Sequence, residues 1–311
     1  MNARRTILII LLAALLLSGC AGRPVTEPAP SAPEPTVPPP TAAPTPVPTP
    51  VPTPSHPPEQ FPYDYEKTLA DDENIGLAVT ALGVDWEDNW VVHLRLENRT
   101  GEIQTFRFIY QSINGLALDE VLEYRVAVGG SLEPSFRILR QEMADWGFDR
   151  PVLWRFTLKV SSSESTQEPL FYENLSASPF GEEEALPYVF EPGPLDRKVM
   201  DNKYAAVYIT GWQPEDGALR IDYVAVNKCD QPLLLVLPDG KLKLDGRSRE
   251  AVLKDGFGPG STLMGSIPVE PWEGLDEPAR IELKLALADP SQWGDPLIKG
   301  TQVNARLKAA D

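Results

Sequence analysis

Residues 91–98 read VVHLRLEN and residues 220–227 read RIDYVAVN. Each stretch mixes apolar and polar side chains at a period near two and stops at an asparagine. That period puts one face of a strand in a core and leaves the other outside. His93 falls on the outer parity, opposite Val92, Leu94 and Leu96. Working outward, the surroundings of the two stretches also match. Gly83 with Glu87-Asp88 precedes the first, and Gly211 with Glu215-Asp216 precedes the second. After them come Asn114-Gly115 and Asp239-Gly240, both read as type I′ hairpin turns, then Gly130-Ser131 and Gly260-Ser261. A last alternating strand carries Trp154, Phe156, Leu158 and Val160 in one copy and Ile281, Leu283, Leu285 and Leu287 in the other. The landmarks keep their order at offsets between 125 and 130, which predicts a duplicated domain.

Short alternating runs separated by Gly, Pro, Asn and Asp predict an antiparallel sandwich in each copy, with at most one helical turn at Gln141 to Trp146. The strand ending in Asn98 or Asn227, the hairpin, the Gly-Ser step and the closing strand resemble a group of small immunoglobulin-like domains found in Gram-positive lipoproteins. That resemblance implies a fold and no activity, because its motifs are turns and core positions. The expected architecture is all-β: two tandem antiparallel immunoglobulin-like β-sandwiches, at residues 64–192 and 196–311, after a disordered proline-rich stalk. Glu191-Pro192-Gly193-Pro194 reads as a stiff joint between them.

Ahead of the sandwiches, Arg4 and Arg5 precede an apolar run from Ile7 to Leu17, too short for a spanning helix and ordered like a secretory signal over residues 1–19. Leu17-Ser18-Gly19-Cys20 resembles the bacterial lipobox. The resemblance implies cleavage between Gly19 and Cys20, and acylation of the Cys20 sulfur by chains such as palmitate. It also implies anchoring in a cell membrane on its extracytoplasmic face. Residues 20–60 lack aromatics and carry the run TPVPTPVPTP at 45–54. Such a segment favours polyproline II at ~3.1 Å per residue and suits a spacer.

A formal net charge of -17 argues against nucleic acid as a partner, since phosphates need a basic surface. Two cysteines, one of them Cys20, leave no internal disulfide framework, and Cys229 is expected to be a partly accessible free thiol in its turn. Two histidines and no CxxC or HExxH spacing give no catalytic constellation, no metal site and no cofactor motif. The residues with recognition chemistry are Trp86 and Trp212, in the first inter-strand loop of each copy, and Trp146 and Trp272 near Gly147 and Gly274. Indole faces beside acids and amides stack on sugar rings; the same rings also plug sandwich ends. The expected role is therefore a non-enzymatic binding or structural module facing a cell-wall glycan or an extracellular protein. A carbohydrate-active enzyme, or its sugar-binding accessory module, is the alternative.

Overall fold

The repeated alternation becomes repeated pairing in the computed structural model, which describes residues 65–162, 168–179, 188–215, 217–270, 278–292 and 297–308. Gly19, Cys20 and the stalk lie outside the described residues. The first sandwich comprises β1 (Lys67–Asp71), β2 (Ile75–Val84), β3 (Trp90–Asn98), β4 (Gln104–Ile113), β5 (Leu116–Ala117), β6 (Leu122–Val126), β7 (Ser131–Leu132), β8 (Ser135–Ile138), one short helix α1 (Arg140–Asp145), β9 (Trp154–Ser162) and β10 (Phe171–Ala177). One layer runs β1-β2-β3 with β7 and β8 on the free side of β3. Facing it, β10-β9-β4 carries β5 and β6. Leu94 and Leu96 from the first layer meet Phe106, Phe108, Phe156 and Leu158 from the second in a single core. His93 on the other parity is exposed, as the alternation requires.

The second sandwich comprises β11 (Arg197–Asp201), β12 (Ala205–Glu215), β13 (Ala218–Asn227), β14 (Leu233–Val236), β15 (Lys241–Leu244), β16 (Arg247–Glu250), β17 (Lys254–Phe257), β18 (Thr262–Val269), β19 (Arg280–Ala288) and β20 (Val303–Lys308). Its pairings repeat the first: β11-β12-β13-β18 makes one layer, while β14 joins β17 to β19 and β19 joins β20. Even the irregularities recur. The β1/β2 register slips between Thr68 and Ala70, and the β11/β12 register slips 130 positions later, between Lys198 and Met200. Likewise the β2/β3 slip at Val79/Ala81 has its twin at Ile209/Gly211. A bulge is an inserted residue that bends its strand, so matching bulges at matching positions are a shared design.

The two terminal asparagines explain why both central strands stop where they do. Asn98 Nδ2 donates toward the carbonyls of Glu102, Val126 and Ala127, at 2.8, 3.1 and 2.9 Å, and its Oδ1 accepts from Thr100 N. Asn227 Nδ2 does the same for Gln231, Phe257 and Gly258, with Oδ1 accepting from Cys229 N. Both side chains are buried, so each amide serves carbonyls that would otherwise be left dry at the strand end.

Two sequence expectations need correction. Asn114-Gly115 is the type I′ turn anticipated, with φ of 49° and 85°, closing Ile113 on Leu116. Asp239-Gly240 is not: only Gly240 has positive φ, in a turn whose N–H bonds back to Leu237 O. The true counterpart is Asp245-Gly246, with φ of 49° and 82°, which closes Leu244 on Arg247. Asn114 Oδ1 accepts from Leu153 N, and Asp245 Oδ1 accepts from Arg280 N. The Gly-Ser step also shifts by one, since the positive-φ partner of Gly260 is Gly129, not Gly130. Both errors came from matching residue names where the geometry follows φ.

Residues 57–311 form one compact unit. Thr262 of β18 bridges to Leu116 of β5 in parallel, so the inner layers of both sandwiches join into one nine-stranded sheet. Beside that bridge, Tyr110 sits on the β4 bulge at φ 53°, a left-handed conformation that costs a non-glycine residue of order 1 kcal/mol or more. Its ring packs on Leu234, Val236, Ala286 and Ala288 of the second sandwich. A Cβ on Gly256 would lie 2.2 Å from the ring, and one on Gly258 would lie 2.4 Å from the Tyr110 carbonyl oxygen. Glycine at both positions is what lets the first sandwich close on the second.

Candidate binding surfaces

The β2–β3 hairpin tip, residues 85–89, is built around one carboxylate. Asp85 Oδ1 accepts from Glu87 N at 2.9 Å and Asn89 N at 3.0 Å, and Oδ2 lies 2.8 Å from Arg137 Nε. Burial by itself would push this carboxyl up; the Asn89 and Glu87 amides and the Arg137 guanidinium outweigh it and hold the group below its ordinary value. Arg137 also reaches Glu87, and Arg140 at the start of α1 reaches Asp88 while stacking over the Trp90 ring at 5.2 Å. Every neighbour of Trp86 in this turn is therefore tied down. Trp86 itself is 85% exposed.

The other three tryptophans are placed differently. Trp146 follows α1 and packs against the first core; Trp212, expected in an inter-strand loop, instead lies inside β12 opposite Ile221 and packs against the second core, with its Nε1 buried and without a hydrogen-bond partner among the described residues. Trp272 lies outside the described residues. Trp146 and Trp212 thus belong to separate cores, and Trp86 alone among the described three stands clear of its sandwich.

A second surface was not anticipated. A cleft of about 440 Å³ opens where the sandwiches meet, lined by Arg155, Asn174 and Ser176 from the first and by Lys228, Cys229, Asp230 and Gly260 from the second. Asn174 Nδ2 crosses it to the Asp230 carbonyl at 3.3 Å. Nearby on the same seam, burial and the Asp289 carboxylate push the Tyr172 hydroxyl up to about 12. Cys229 is half-buried on the cleft wall, with Sγ 3.0 Å from Asn227 Oδ1 and 3.5 Å from Gln231 O. The sequence did carry a signal for this seam. Ala286 and Ala288 occupy the outward parity of β19, whose earlier outward positions are Arg280, Glu282 and Lys284, and a small apolar outward face means something covers it.

No protein-family profile and no curated protein matches the chain. Among solved structures, the comparison found a transglutaminase from red sea bream, at 10% identity and TM-score 0.22, covering 78% of this chain and 31% of that one. It also found a conserved domain protein from Bacillus anthracis, at 7% identity and TM-score 0.23, covering 80% and 92%. A deletion mutant of Bacillus subtilis oxalate decarboxylase gave 10% identity and TM-score 0.11, covering 80% and 78%. The chain spans less than a third of the transglutaminase it matches.

Proposed function

We propose that this protein is a lipid-anchored extracytoplasmic lipoprotein whose joined sandwiches act as a binding module, held to the cell membrane through acylated Cys20 and facing a cell-wall glycan. The observation that carries the binding role is the display of Trp86. A large indole left in water on a turn whose other members are fixed by hydrogen bonds and ion pairs loses little entropy on contact. It has the make-up of an interface anchor. Glu87 and Asp88 beside it supply acceptors for sugar hydroxyls once the ring has stacked.

No helix among the described residues is long and apolar enough to cross a membrane, so the anchor in this reading is the lipid on Cys20. Two or more acyl chains at ~0.8 kcal/mol per buried methylene hold far better than one. The tests are separate. Cys20→Ala should move the protein from the detergent phase to the aqueous phase on fractionation, and a mutant that stays in detergent would end the lipoprotein assignment. Trp86→Ala should weaken retention on purified wall glycan by about tenfold or more. Equal retention of mutant and wild type would remove Trp86 from the site.

A further inference from the structure

The outward face of β19 changes character halfway along. Ala286 and Ala288 lie under Tyr110 of the first sandwich, whereas Arg280, Glu282 and Lys284 at the same parity lie beyond its reach. The strands paired around that free half present the same kind of residue. Pairing sets Ser248, Lys243, Glu282 and Arg306 in one cross-strand row, with Glu250, Lys241, Lys284 and Asn304 on one side and Asp245, Arg280 and Lys308 on the other. This face is concave, enclosing about 490 Å³ lined by Lys241, Lys243, Lys284, Arg306, Glu282 and Asp239.

Six cations stand here against four carboxylates, Asp239, Asp245, Glu250 and Glu282, in a chain whose formal net charge is -17. The carboxylates are partly spent. Glu282 is paired by Arg280 and, at 3.8 Å, by Arg306, and Asp239 is held by Lys284 at 3.0 Å. Among the described residues, Lys241, Lys243 and Lys308 have no ion-pair partner within 4.0 Å. At physiological ionic strength the Debye length is ~8 Å, so a ligand on this face feels the local excess of cations and little of the distant acidic surface.

We infer that the concave outer face of β16-β15-β19-β20 is a docking surface for a linear phosphate-bearing polyanion. Charge complementarity selects the occupant: outward side chains repeat every ~6.8 Å along a strand and every ~4.8 Å across strands, a lattice of cations that a chain of closely spaced phosphates can follow. The apolar side chains of the lining, Leu242, Leu283 and Ala305, are buried, so the side chains this face holds out to a partner are charged or polar. The acidic remainder of the body repels a polyanion from other faces. This inference does not depend on Trp86 or on the anchor.

The experiment titrates the full chain, in a non-ionic detergent, with inorganic polyphosphate at about 50 and about 200 mM salt, since phosphate contacts lose affinity steeply across that range. Wild type should bind, weaken at the higher salt, and lose about tenfold or more in affinity in Lys241→Glu/Lys243→Glu. Lys241→Gln/Lys243→Gln should fall between the two, which separates charge from any change in folding, and Trp86→Ala should bind polyphosphate like wild type. Absence of binding by wild type would overturn the proposal, as would equal affinities for wild type and the Glu variant. Binding to vesicles of anionic lipid without binding to polyphosphate would overturn it too.

Discussion

The two sandwiches share a pairing scheme, two bulges and a buried asparagine, yet they diverge in the strand that follows the asparagine turn. In the first, β4 runs unbroken from Gln104 to Ile113 and absorbs its irregularity as the bulge that seats Tyr110. In the second, the same role is split between β14 and β15, with the Leu237–Gly240 turn between them, and both still pair with β19. One copy turned its irregularity into a plug; the other became the surface that receives it, with glycines at 256 and 258. Conserved irregularities thus mark what holds each sandwich together, and the one that differs marks where the copies join.

If the asparagines are the shared fastening, removing either should cost the most and cost alike. Asn98→Ala and Asn227→Ala each leave buried carbonyls without a donor, at ~1–3 kcal/mol per orphaned group. We expect a loss of about 3–5 kcal/mol in each by chemical denaturation. A small loss in one and a large loss in the other would show that the matching geometry hides unequal roles.

The fold was legible because strand parity, turn residues and strand-ending asparagines are local signals, and duplication doubled each of them. Trp154, Phe156, Leu158 and Val160 face the core as their alternation requires, and so do Ile281, Leu283, Leu285 and Leu287. The Asp239-Gly240 misreading had a local cause: an Asp-Gly pair names a turn without its φ values, and two such pairs stand six residues apart. Candidate binding residues were far less legible. Trp86 stands in the first inter-strand loop as expected, but Trp212 lies inside β12 opposite Ile221 and, on the offset set by the matching bulges, corresponds to buried Leu82, so one indole is in water and the other against a core. At the seam, Ala286 and Ala288 marked a covered face, but its partner was hidden, because the contact joins Tyr110 to Gly256 and no periodicity spans that separation.

The seam offers the next largest effect. Tyr110→Ala removes the ring from Leu234, Val236, Ala286 and Ala288, with an expected loss of about 2–3 kcal/mol on the scale of large-to-small changes at packed sites. Calorimetry should then resolve two transitions where wild type shows one. Tyr110→Gly should be milder than Tyr110→Ala by up to ~1 kcal/mol, because glycine adopts φ 53° without penalty. A single, unshifted transition in both variants would make the ring a bystander.

Cys229 sharpens the comparison at a finer scale. Its Sγ occupies the place of Thr100 Oγ1, which lies 2.8 Å from Asn98 Oδ1 just as the thiol lies 3.0 Å from Asn227 Oδ1. Cys229→Thr should therefore change stability by less than about 0.5 kcal/mol, within the range of benign substitutions. Cys229→Val, of similar bulk but without a donor, should be measurably worse in the same melt. Equal stabilities for Thr and Val would show that the hydroxyl and thiol bonds contribute nothing.

The smallest effect should lie in the ion pairs that flank both asparagine turns, Asp71 with Arg99 and Asp201 with Lys228. Lys198 bonds Asp201 at 2.8 Å, and Lys198 with Lys228 pulls the carboxyl from 3.8 to about 2. A carboxylate with a depressed folded-state pKa stabilises the fold at pH above its unfolded value and loses that contribution as pH falls through the folded one. The Asp201 contribution should therefore be complete above pH 3.8 and fade toward about 2. Because the group is solvent-exposed, added salt should shrink it. The check is the difference in melting temperature between wild type and Asp201→Asn, followed from pH 5 downward at low and high salt. A gap that narrows through this window, more visibly at low salt, supports the assignment. A gap that widens as pH falls would mean that the carboxylate is not what the two lysines stabilise.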